Sequence, residues 1–233
     1  MALILNLETA TTVCSVSLAK DGVLLALKEI NGDYSHAENL TLFIEDVFKP
    51  AGLKLNSIDA VAVSKGPGSY TGLRIGVSTA KGLCYSLDKP LIAINTLEHI
   101  SYSVSKTIPK ELPVINYLLC PMLDARRMEV YCALFDSQNK YVMPTSALII
   151  DENSFAEYLK ENTIYFFGDG ASKCKQVLAG NENAIFIDGV FPSAKNMIPL
   201  SEEAFDKKQF EDVAYFEPFY LKDFVAGKKK GEK

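Results

Sequence analysis

The sequence predicts an α/β chain in two unequal halves, on three observations. It opens with three short apolar segments separated by turn residues, continues with helical periods alternating with buried strands, and changes character at SYSVSKTIPKELP (101–113), where new strands begin. With 233 residues, 48% of them hydrophobic and 23% charged, there is apolar material for one large core or two small ones. No run approaches the roughly 18 to 20 apolar residues of a membrane span, and Asn6 and Glu8 interrupt the apolar start with no basic segment before it, so a cytoplasmic, untargeted chain is expected. Five widely spaced cysteines without a C-x-x-C pair read as reduced, buried small hydrophobes. Two histidines, His36 and His99, are too few for a self-contained zinc site. The net charge of -5 argues against a surface that grips nucleic acid everywhere, while leaving room for a local basic patch.

The first half reads as strands at 2–7, 13–19 and 23–29, with Asp21-Gly22 as the turn that makes the last two antiparallel. A helix is expected over 36–49, because Ser35-His36-Ala37-Glu38 has capping-box spacing and Pro50-Ala51-Gly52 ends the pattern. Its apolar face is Leu40, Phe43, Ile44, Val47 and Phe48. A strand at 58–64, a helix over about 69–86 and a strand at 90–95 follow. This order resembles the ribonuclease-H-like half of actin and sugar kinases, so the expected fold is actin-like (ASKHA).

The second half is expected to hold strands at 114–122, 128–135 and 145–150, and a helix near 153–161. A strand should then end at Gly168-Asp169-Gly170, before a helix over 171–179. In domain terms, residues 1–100 form the first unit, completed by a C-terminal helix from about 196 to 225, and residues 101–195 form the smaller second unit. Residues 225–233, which include Lys228, Lys229 and Lys230, read as a disordered basic tail, with non-specific tRNA contact as its functional alternative.

Gly66 to Leu83 is the most unusual stretch. A strand ends in Gly66-Pro67-Gly68, Ser69 offers an N-cap, and the helix then carries Gly72, Gly76 and Gly82, each at a cost of about 1 kcal/mol in helix propensity. Gly72, Gly76 and Ala80 recur every four residues and form a smooth stripe. Two readings are open: close packing on the chain's own sheet, or contact with a partner helix. A phosphate loop is not spelled out, since Thr71 stands where both the Walker A and the G-x-G-x-x-G spacings need glycine. Thr9, Gly68 and Gly170 remain candidates for a weak anion or nucleotide contact.

Lys65 to Gly76, KGPGSYTGLRIG, resembles the GPGSFTGLRIG signature of the TsaB (YeaZ) family. NLETATTVCSVSL at the start, SHAENL before the first helix, LDARRMEVY at 123–131, the GDGA turn at 168–171 and PFYLKD near the end agree with it, so the resemblance covers nearly the whole chain. It implies a non-catalytic subunit that activates a TsaD-type enzyme, with a TsaE-type ATPase as third partner, in forming N6-threonylcarbamoyladenosine in tRNA. It further implies that ATP, ADP and metal belong to those partners, with no cofactor bound tightly here. A homodimer is expected when the partner is absent, and any contact with tRNA is indirect or weak.

On the same resemblance, the TsaD metal ligands, two histidines four apart in a pattern similar to N-H-x-E-x-H, fall on Thr96 and Ile100, neither of which replaces imidazole. His99 is one residue out of register and reads as a helix-surface or hydrogen-bonded residue, and His36 as a first-turn helix residue. Where actin-like kinases carry an aspartate beside a Gly-Thr turn, this chain has Asn6-Leu7-Glu8-Thr9-Ala10, which disfavours autonomous ATP chemistry, although Glu8 could still hold a cation through water. Asp124, Arg126 and Arg127 form a charged cluster that reads as a salt-bridged strand end or as a contact for partner or RNA. The expected interface with the catalytic relative comprises Leu40, Phe43, Ile44, Val47, Ser69, Gly72, Leu73, Gly76 and Ala80. The rival readings are an autonomous actin-like ATPase or kinase, and a metallopeptidase suggested by the old glycoprotease name.

Overall fold

The computed structural model describes residues 2–32, 36–108 and 116–222. Strands β1 (Leu3–Glu8), β2 (Val13–Lys20) and β3 (Val23–Asn31) form the expected antiparallel meander. Asp21 (φ 53°) and Gly22 (φ 73°) both turn left-handed between the last two. Aspartate tolerates that backbone because its short side chain bonds locally, and here its carboxylate accepts the Ala2 amide at 2.8 Å. Helix α1 (His36–Ala51), β4 (Ala60–Gly66), α2 (Tyr70–Leu87), β5 (Leu91–Asn95) and α3 (Thr96–Ser105) follow. The sheet order is β3-β2-β1-β4-β5, with β1, β4 and β5 parallel.

The second sheet repeats this plan. Strands β6 (Tyr117–Asp124), β7 (Glu129–Phe135) and β8 (Tyr141–Ile149) make an antiparallel meander. The one-turn α4 (Ala156–Leu159), β9 (Thr163–Phe167), α5 (Ala171–Leu178), β10 (Ala184–Ile187) and α6 (Ala194–Asp206) follow. Read from β8, the order is β8-β7-β6-β9-β10, strand for strand the order of the first sheet.

Both first strands are covered on both faces, which is why ALILNL lacks polar alternation. Leu3, Leu5 and Leu7 pack with Leu40, Ile44 and Val47 of α1 and Val77 and Ala80 of α2. On the opposite face Ala2 and Ile4 meet Met197 and Ala204 of α6. In the second sheet Cys120 and Met122 pack toward Phe155, Leu159, Cys174 and Leu178, while Leu119 and Leu123 meet Leu97, Ile100 and Val104 of α3. All five cysteines are free and buried.

Four expectations change. The stretch after residue 101 is helical through Ser105, because Leu97, Ile100 and Val104 recur at helical spacing and bury on the second sheet. α4 is a single turn, and β10 is an additional strand. The C-terminal helix ends at Asp206, far short of 225. Beyond it the chain makes only isolated local turns, such as the Phe216 amide to Asp212 O, and bonds to other elements as well: the Glu211 amide donates to Leu91 O and the Phe219 amide to Lys65 O (2.9 and 2.7 Å). Lys81 Nζ meanwhile donates to Ala214 O and Phe216 O. Residues 211–222 thus form a strap across β5, α2 and the end of β4. The Ser35 cap, residues 109–113 of the looser stretch and the basic tail lie outside the described residues.

Candidate functional site

The ends of the two first strands face each other across a cleft of about 470 Å³. One wall is the β1–β2 turn (Ala10, Thr11, Thr12) and the start of α2 (Gly68 to Thr71). The other is the β6–β7 hairpin (Asp124, Ala125, Arg126), Tyr131 and Asp169, and the strap closes one side with Phe219 to Lys222. Tyr220 stacks on Tyr70 with centroids 4.8 Å apart, and Arg74 lies 5.4 Å over the same Tyr70 ring.

The acid at the end of β1 is closed to ligands. Glu8 is fully buried; Oε1 accepts the Ala10 amide at 2.6 Å and Oε2 meets His99 Nε2 at 2.6 Å. His99 is equally buried, so it is not a helix-surface residue; the hydrogen-bonded alternative describes it. A buried carboxylate without a partner is strongly disfavoured, and this pair supplies one from 91 residues away. His36 is buried too, its Nε2 donating to Thr11 O at 2.7 Å. The turn is thereby tied to α1 and α3.

The glycine stripe of α2 lies against this turn. A Cβ on Gly72 would stand 2.1 Å from Thr9 O, and one on Gly76 2.2 Å from Thr9 Oγ1, while Thr9 Oγ1 donates to Gly72 O at 2.8 Å. The stripe therefore serves close packing on the chain's own sheet, and its expected role at a partner interface is corrected. Of the nine expected interface residues, Leu40, Ile44, Val47, Gly72, Leu73, Gly76 and Ala80 are buried inside the chain. Phe43 is half-buried against the core, and Ser69 is half-buried as the N-cap, accepting the Gly72 amide. The outward face of α2 carries Thr71, Arg74, Ser78, Gly82 and Tyr85, and that of α1 carries Thr41, Leu42 and Glu45. Leu42 is 55% exposed and Tyr85 87%, and a Cβ on Gly82 would meet nothing within 4 Å among the described residues.

The other sequence candidates divide. Thr9 is fully buried and Gly170 packs against Leu123, its amide donating to Met122 O, so neither reaches an anion; Gly68 does line the cleft. Thr96 Oγ1 is 2.7 Å from Ser64 Oγ and Ile100 is in the second core, so both positions matched to metal ligands are filled by packing. Among the described residues no three His, Cys, Asp or Glu side chains are grouped to hold a metal. Asp124 pairs with Lys173 at 2.6 Å, and its carboxylate accepts the Arg126 amide. Asp169, whose carboxyl burial pushes above the usual range, accepts the Asp124 amide. Sequence reasoning assigns no site role to Tyr131, Asp169 or the strap residues of the cleft; LDARRMEVY, GDGA and PFYLKD contain them only as matched strings.

The family model described as "TsaD: tRNA N6-adenosine threonylcarbamoyltransferase" matches residues 32–230. The chain is 28% identical over 231 residues to the Escherichia coli (strain K12) tRNA threonylcarbamoyladenosine biosynthesis protein TsaB, covering 97% of each. It is 32% identical over 133 residues to a Staphylococcus haemolyticus tRNA N6-adenosine threonylcarbamoyltransferase, covering 50% of this chain and 39% of that one. The solved structure of YeaZ from Pseudomonas aeruginosa superposes with a TM-score of 0.78 at 23% identity, covering 95% of this chain and 100% of that one, which establishes the shared fold.

Proposed function

We propose that this chain, which belongs to the TsaD family of tRNA N6-adenosine threonylcarbamoyltransferases and within it to TsaB, takes part in threonylcarbamoyladenosine formation as a non-catalytic subunit. The observation that carries the reading is the engagement of Glu8. Both its oxygens are bonded within the chain, so the acid at the end of β1 is not free to organise phosphates or a cation. The chemistry then falls to a TsaD-type partner, and this chain contributes shape.

The outward faces of α1 and α2 are the surface for that partner. Gly82 supports the placement: a glycine inside an exposed helix costs about 1 kcal/mol relative to alanine, and unlike Gly72 and Gly76 it has no neighbour among the described residues that requires it. Leu42 and Tyr85 supply exposed apolar area on these two faces. A second copy would occupy the face when the partner is missing, and a TsaE-type ATPase would join the assembled pair.

Gly82→Leu is the test. The isolated variant should melt at or slightly above the parent temperature, while its affinity for the co-expressed TsaD-type subunit falls by roughly 5-fold to 150-fold, the equivalent of about 1 to 3 kcal/mol of overpacking. Unchanged pairing would move the interface elsewhere. Saturable ATP binding and turnover by the chain alone would favour the autonomous ATPase instead.

A further inference from the structure

The β6–β7 hairpin is built in an unusual way. Arg126 (φ 73°) and Arg127 (φ 50°) stand side by side in the left-handed region, which L residues other than asparagine and aspartate rarely adopt. The turn is braced by its own chain: the Asp124 carboxylate accepts the Arg126 amide at 2.6 Å, the Glu129 amide donates to Arg126 O at 3.1 Å, and the Ala125 amide donates to Glu129 O at 3.1 Å. The neighbouring acids are engaged by lysines, Asp124 by Lys173 and Glu129 by Lys222. Both arginines are exposed, and neither guanidinium has a hydrogen-bond or ion-pair partner among the described residues. The backbone thus accepts a disfavoured conformation twice and presents two unpaired cations.

We infer that this hairpin is an RNA-contacting element that holds phosphates of the tRNA, with Arg126 at the mouth of the cleft and Arg127 beside it. The inference rests on the tRNA-modification reading and adds to it a contact made by this subunit itself. RNA is favoured over an acidic protein surface by what lies next to the arginines. Tyr131 and Tyr220 line the same cleft as Arg126, and aromatic rings beside guanidinium groups suit unstacked bases joined by phosphates. Lys222 is at the cleft as well. Planar guanidinium forks match phosphate oxygens in pairs, which single ammonium groups do not.

The experiment measures tRNA affinity against salt concentration for the full chain, alone and with its TsaD-type partner, in the parent, in Arg126→Asn/Arg127→Asn and in Arg126→Lys/Arg127→Lys. Asparagine tolerates the left-handed backbone, so the first double variant keeps or raises the melting temperature and tests charge rather than folding. The expected result is weaker tRNA binding, with a plot of log affinity against log salt that is shallower by about 1 for each phosphate no longer neutralised. The lysine variant retains most of the slope, and pairing with the partner subunit is unchanged in both. Parent and asparagine variant binding tRNA alike, or no tRNA binding in either form, overturns the inference while leaving the subunit reading intact. Loss of pairing with tRNA affinity unchanged assigns the hairpin to a protein partner and likewise overturns it. A parent chain that never pairs with the TsaD-type subunit is a failure of the functional reading itself. ATP titrated into the same variants separates the sources of phosphate: a weakening confined to free ATP overturns the RNA assignment.

Discussion

The two sheets share one strand order, and in both a glycine-containing turn after a parallel strand packs on the end of the first strand. What differs is the acid at that end. Glu8 of the first half is fully buried and bonded to His99 and the Ala10 amide, so its turn is fastened to the core. Asp124 of the second half is half exposed at the cleft and paired with Lys173. The same topology therefore yields one wall fixed by internal bonds and one wall that presents charge. Equivalent positions in a duplicated fold need not keep equivalent roles; what the acid can bind is decided by what has been placed beside it.

The largest test of that contrast is His99→Leu. It strands the Glu8 carboxylate in an apolar setting and should cost about 3 to 5 kcal/mol of unfolding free energy by denaturant titration. A cost below about 1 kcal/mol would show that Glu8 finds another partner or water, and the first wall would be no more closed than the second. Next in size is Gly72→Ala. The added methyl would stand 2.1 Å from Thr9 O, an overpacking cost of about 1 to 3 kcal/mol that the roughly 1 kcal/mol gain in helix propensity offsets only in part. A thermal melt unchanged from the parent would mean that the β1–β2 turn yields readily. The smallest effect belongs to Asp124→Asn: its carboxylate is half open to solvent, so the pair with Lys173 contributes about 1 kcal/mol or less and stability should move little. A destabilisation as large as that of His99→Leu would erase the distinction between the walls.

Much of the framework is legible in the sequence because it rests on local pattern. The meander follows from apolar segments around Asp21-Gly22, α1 from its periodic face, and α2 from the Ser69 cap. The site is less legible because its decisive contacts join residues remote in sequence. A stripe of glycines announces close approach but not what approaches; here it is Thr9, 63 residues before Gly72. His99 reads differently once Glu8 stands beside it, and nothing local in the sequence pairs them. The C-terminal helix is expected to continue past Asp206, yet the segment beyond it ties amides and carbonyls of Glu211, Ala214, Phe216 and Phe219 to Leu91, Lys81 and Lys65. TsaB membership is legible from KGPGSYTGLRIG without any of this geometry, since a matched string carries ancestry rather than contacts.

The position of α6 bears on how the molecule is made. Among the described residues it is the last helix synthesised, yet it covers the face of the first sheet formed by Ala2, Ile4, Ala60, Ala62, Ile92 and Ile94. About 100 residues separate the end of β5 from α6, roughly 5 to 20 s of translation at ordinary rates. Throughout that interval the growing chain carries a finished set of first-sheet strands with one apolar face bare. The core of the first sheet therefore closes only after all five strands of the second sheet have been made.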